Sequence, residues 1–112
     1  MKNTMSAKIA AGAYRSNGIN IKDNYMINLQ IPSEFVGTYI VVLSSPDGEN
    51  YAPLYDDYGY PVKIPVAANR SVSLKEYALA LAPVYYMQLQ SGTHEIPTNQ
   101  TADIDIQVSI KR

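Results

Sequence analysis

Residues 45–60 read SPDGENYAPLYDDYGY, and four carboxylates (Asp47, Glu49, Asp56, Asp57) lie there among four tyrosines and two glycines. Such a cluster is a candidate for calcium binding or acid–base chemistry. A calcium loop of the EF-hand type takes oxygen ligands at its first, third and fifth positions, then a glycine and a distal glutamate. A loop started at Asp47 has Glu49 third but Tyr51 fifth, so the register fails. Asp56 and Asp57 offer a calcium site of another kind. Neighbouring residues on a strand point to opposite faces, however, which works against a shared ligand role. The plainer reading is that Asp47 shapes one turn and that Asp56 and Asp57 begin the next. No metal and no cofactor is expected.

Histidine chemistry rests on His94 alone, in the stretch SGTHEIP. A catalytic pair with Ser91 or Glu95 needs an orienting third group and an oxyanion donor. The sequence supplies no motif for either, so His94 reads as a solvated loop residue. AAGAYRSNG has two glycines and no following Lys-Ser or Lys-Thr pair, so a phosphate cradle is also missing. Paired carboxylates alone permit glycoside hydrolysis, but small β-sandwiches more often bind sugars than cut them. The chain is read as a non-enzyme.

Tyrosine is the unusual component: the chain has ten, against one phenylalanine and no tryptophan. Tyr51, Tyr55, Tyr58 and Tyr60 surround the expected turn. Tyrosine gives a large, stiff contact surface with a polar tip, hence its weight in interfaces. It is also a good strand residue at sheet borders, and that reading suits Tyr25, Tyr39 and Tyr77.

The elements that position these residues are short strands. A chain of 112 residues with 46% apolar and 17% charged content is long enough for one core and too apolar for general disorder. Nine basic residues nearly balance ten acidic ones, leaving no basic footprint for nucleic acid. Cysteine is absent, which removes disulfides and thiolate sites and suits synthesis inside a cell. No apolar run reaches the roughly 18 residues of a spanning helix, and the first residues lack a secretory apolar core.

YMINLQI (25–31) alternates, with Tyr25, Ile27, Leu29 and Ile31 expected on one face. TYIVVLS (38–44) is a nearly continuous β-branched run, as in a central strand covered on both faces. DIDIQVSI (103–110) alternates most cleanly, with Ile104, Ile106, Val108 and Ile110 inward. Pro53, Pro61 and Pro65 confine their segments to edges or strand starts. Ser73 and Glu76 suggest a capping box, with Leu74, Tyr77, Ala78 and Leu81 at helical spacing before Pro83. The fold class is therefore all-β: a small antiparallel β-sandwich or jelly-roll-like domain with one short helix. Residues 1–17 carry Lys2, Lys8, Arg15 and the terminal amine but no acid. They read as an N-terminal arm that spans about 55–60 Å when extended, and residues 18–112 read as the sandwich. The alternative is a first strand that stays in its own domain.

SPDGENYAPLYDDYGYPVKIPVAANRSVSL, followed by YYMQLQSGTHEIPTNQTADIDIQVSI, resembles a group of small structural proteins of tailed bacteriophages. The shared pattern is D-G-x-x-[YF]-x-x-L-[YF]-D, then V-x-[IV]-x-V-A-A-x-R-x-[VI]-x-L, then S-G-T and a final alternating strand. Asp47, Gly48, Tyr51, Leu54, Tyr55, Asp56, Val62, Ile64, Arg70 and Gly92 fall on it, within roughly residues 40–110. Lys75-Glu76 departs from it, where an aspartate–proline turn is expected. The resemblance implies a virion component made in the host cytoplasm, with head decoration or cement proteins as the leading subset. It also makes Arg70 a partner for Asp56 or Asp57. The implied partner is the major capsid protein or another virion protein, with further copies of the chain beside it on the particle. Lys8, Ile9 and Arg15 of the arm, with Tyr55, Tyr58 and Tyr60 of the body, are the expected contacts. The alternatives are a tail, connector or fibre-base component, or a carbohydrate- or surface-binding module.

Overall fold

A computed structural model describes residues 4–21 and 24–111. Two antiparallel sheets face each other across one apolar core. In spatial order the first consists of β1 (Thr4–Ile9), β9 (Ile104–Lys111), β3 (Tyr25–Ile31) and β7 (Arg70–Ser73). The second consists of β2 (Ile19–Asn20), β8 (Tyr86–Ser91) and β4 (Tyr39–Ser45), with β5 (Ala52–Pro53) and β6 (Lys63–Pro65) both on the far side of β4. Pro53 and Pro65 thus lie on the edge of the second sheet, where a missing amide donor costs least.

β9 runs between β1 and β3, and its period of two puts Ile104, Ile106 and Val108 fully inside. Ile110, near the end, is only partly covered. Gln100, just before β9, is buried and ties loops together: it accepts from the Val36 amide at 2.8 Å and donates to the Val36 carbonyl at 2.7 Å.

Three expectations need correction. Residues 4–9 are not an arm. They form β1, with Ala7 and Ile9 in this chain's own core. The chain then folds back, and Asn17 covers the outer edge of β1: its Oδ1 accepts from the Lys8 amide at 2.7 Å, and its own amide donates to the Lys8 carbonyl. A side chain standing in for a strand blunts that edge. Lys2 lies outside the described residues. In β3, the pairing with β9 slips between Met26 and Asn28, so Ile27 is an extra residue in a bulge. Met26, Leu29 and Ile31 face the core, while Tyr25 and Ile27 are exposed.

The expected capping box does not form either. Leu74 occupies the N-cap of a 3-10 turn, Lys75–Tyr77, and Ser73 Oγ accepts from Lys75 rather than Glu76. The turn runs into a single α-helical turn, α1 (Ala78–Leu81), anchored by buried Leu74 and Leu81.

Ile106 has no exposed surface and pairs opposite Ala7. Ile106→Ala is expected to cost about 2–5 kcal/mol in denaturant unfolding. A loss below about 0.5 kcal/mol would contradict its core position.

Candidate functional site

β4 is apolar on both faces. Ile40 and Val42 belong to the core cluster, so strand alternation places Tyr39, Val41 and Leu43 on the outer face of the second sheet. Val41 and Leu43 are nevertheless buried. For Val41 the cover comes from the edge of the sheet. β5 pairs with β4 at Leu43↔Pro53, and β6 pairs with it at Val41↔Lys63, so the edge is one interrupted strand. Between them the chain makes a small hairpin, closed by the Val62 amide donating to Leu54 and by a bridge between Tyr55 and Pro61. Tyr55 stacks on His94 with ring centroids 6.4 Å apart and planes at 21°. Together with Val41, Pro61, Lys63, Thr93 and Glu95 they line an open recess of about 100 Å³.

Asp56 makes the hairpin rigid. One carboxylate oxygen accepts from the amides of Tyr58 and Tyr60, both at 2.9 Å, and the Asp56 amide donates to the Tyr60 carbonyl. Gly59 takes a positive φ of 83°, which the tight turn requires. Asp56 therefore begins a turn, as its residue type suggests. Tyr58 and Tyr60 are presented to solvent, 87% and 68% exposed, on a backbone that is already fixed. Arg70 does not pin this loop: it lies on β7 of the other sheet, and the Asp56 carboxylate already holds two amides. Asp47 shapes the turn after β4, accepting from the amides of Glu49 and Asn50. Those bonds, the Asn50 amide first, hold its carboxyl well below the usual range. No group of three or more His, Asp or Glu gathers as a metal-ligand set among the described residues.

The outer face also carries cations over aromatic rings. Arg15 Nε donates to Gln90 Oε1 at 2.9 Å, and the buried Gln90 amide donates in turn to the Thr93 carbonyl, at the root of the His94 loop. The Arg15 guanidinium lies 5.8 Å from the centre of the Tyr14 ring, and Lys63 Nζ lies 4.5 Å from that of Tyr39. Of the expected contact residues, Arg15, Tyr55, Tyr58 and Tyr60 belong to this second-sheet surface. Lys8 is exposed on the first sheet, and Ile9 is core. Sequence reasoning missed Lys63, Tyr39 and Gln90. Gln90 is visible in the alternation of MQLQ, where Gln88 and Gln90 oppose Met87 and Leu89.

No family model and no curated protein matches the chain. Among solved structures it is similar to the pre-peptidase C-terminal domain of a collagenase from Bacillus anthracis, at 16% identity. That match covers 99% of this chain and 90% of the other, with a TM-score of 0.35.

His94 is not the solvated loop residue its setting suggests. It packs on Tyr55, and its Nε2 is buried without a hydrogen-bond partner among the described residues. Burial first, then the Arg15 charge, holds its pKa below the ordinary 6.5, against an opposing pull from Glu95. The unfolded chain takes up the proton at the ordinary value and the folded chain resists it. Stability is therefore full above pH 6.5 and falls as the pH drops through that value toward the lowered one. His94→Phe keeps a ring against Tyr55 and cannot protonate. Its Tm is expected to fall less than that of the wild type between about pH 7.5 and 5.5. Equal falls would show that His94 is not held neutral by its packing.

Proposed function

We propose that this protein is a non-enzymatic virion component. It docks on the outer surface of the major capsid protein as a decoration or cement subunit and stabilises the head. The observation that carries this reading is the pair Tyr58 and Tyr60, exposed yet fixed by Asp56. Stiff aromatic side chains lose little conformational entropy on binding, which is what a docking surface requires. Arg15 and Lys63 flank the same face without a carboxylate partner among the described residues. A partner surface with apolar pockets and acidic residues suits them. The likeness of residues 40–110 to small phage structural proteins supports the virion setting. A lattice multiplies weak contacts, so each interface need only reach about 800 Å² per partner.

The test is occupancy on particles that lack the protein, with wild type or Tyr60→Ala/Lys63→Ala added back, both side chains being exposed. The variant is expected to fold and to lose at least about tenfold in affinity, typical of removing an aromatic anchor. Binding equal to wild type would overturn the assignment of this surface. Absence of the wild-type protein from heads, with density at the tail or fibre base instead, would favour the other virion position.

A further inference from the structure

The Ile27 bulge leaves a second apolar feature on the opposite sheet. Tyr25 and Ile27, turned away from the core, form one wall of a groove whose other wall is Lys75, Ala78 and Ala82, with buried Leu74 and Leu81 beneath. Its volume is about 370 Å³, toward the lower end for binding pockets and suited to a side chain or two. Leu79, on the same helical turn, is 91% exposed. The lining contains one charged side chain, Lys75, which meets no carboxylate among the described residues.

The tip of the tyrosine loop is the converse shape and charge. It is convex, it projects Tyr58, and beside Tyr58 stands Asp57, an exposed carboxylate with no partner among the described residues. Asp56 has its own carboxylate on backbone amides, so Asp57 carries the available charge. None of the groove's lining residues belongs to the loop, so a chain does not fill its own groove.

We propose that copies of this chain join head to tail, with Tyr58 of one copy entering the Tyr25/Ile27/Ala78 groove of the next and Asp57 meeting Lys75. The proposal rests on reading the loop as a contact surface and assigns Tyr58 and Asp57 to a second copy, leaving Tyr60, Arg15 and Lys63 for the capsid. Such a contact joins two different surfaces and leaves one of each open at the ends. It therefore closes into rings or propagates along a lattice.

Two variants that each remove one half test it. Ala78→Glu places a charged chain in the groove, and Tyr58→Ser removes the knob; both positions are exposed, so the fold is retained. In sedimentation equilibrium the wild type is expected to show a weight-average mass rising with concentration up to about 1 mM. Each variant alone stays monomeric, and their equimolar mixture forms a dimer that grows no further, because one intact loop and one intact groove remain. As a check independent of packing, Lys75→Glu weakens association and adding Asp57→Lys restores it. A wild type that stays monomeric, a Tyr58→Ser variant that associates alone, or a mixture that stays monomeric overturns the proposal. Monomeric wild type that still decorates particles leaves the capsid reading intact, and self-association without decoration does the reverse.

Discussion

The second sheet is organised by a constraint in one strand: β4 has too much apolar surface for one face. Ile40 and Val42 meet the first sheet, and Val41 and Leu43 remain on the outside, where water would otherwise reach them. Burying a Val or Leu side chain is worth roughly 1.5–3 kcal/mol, enough to fix where the edge of the sheet goes. The edge strand breaks between β5 and β6, and the residues in between fold over Val41. Tyr55 and His94 supply that cover from two distant parts of the chain.

The consequence is a division of labour within one short loop. Its root packs on the sheet through one face, with Tyr55 half exposed against His94 and Pro61 bridged to Tyr55 at the sheet edge. Its tip is surface, with Tyr58 and Tyr60 in water. Asp56 joins the two, since its carboxylate holds the tip backbone while its own amide donates to Tyr60. A loop built this way has few conformations to lose when it meets a partner. That links the burial of Val41 to the function proposed for the tyrosines.

Local patterns carried much of this into view. The alternation of Ile104, Ile106 and Val108 and the solid run of β4 are properties of consecutive residues, and both elements form where those patterns lie. Asp56 as a turn starter follows from its side-chain length alone. What was illegible depends on partners far along the chain. The Ile27 bulge is set by the register with β9, which reverses the faces expected for Tyr25 and Ile27. Thr4–Ile9 alternates Thr4, Ser6 and Lys8 with Met5, Ala7 and Ile9, the strand given as the alternative to an arm, but its partner is set by pairing with β9 and by the Asn17 clasp. Likewise nothing near His94 indicates that Tyr55 will stack on it.

The central claim is that the exposed tyrosines stand on an immobilised backbone. Amide hydrogen exchange at Tyr58 and Tyr60 reads this directly, because it reports opening of the bonds that Asp56 makes. The account predicts that both amides are protected in the wild type despite their exposed side chains. In Asp56→Ala both lose that protection, while the amides of β4 keep theirs. Unprotected exchange at Tyr58 and Tyr60 in the wild type would contradict it.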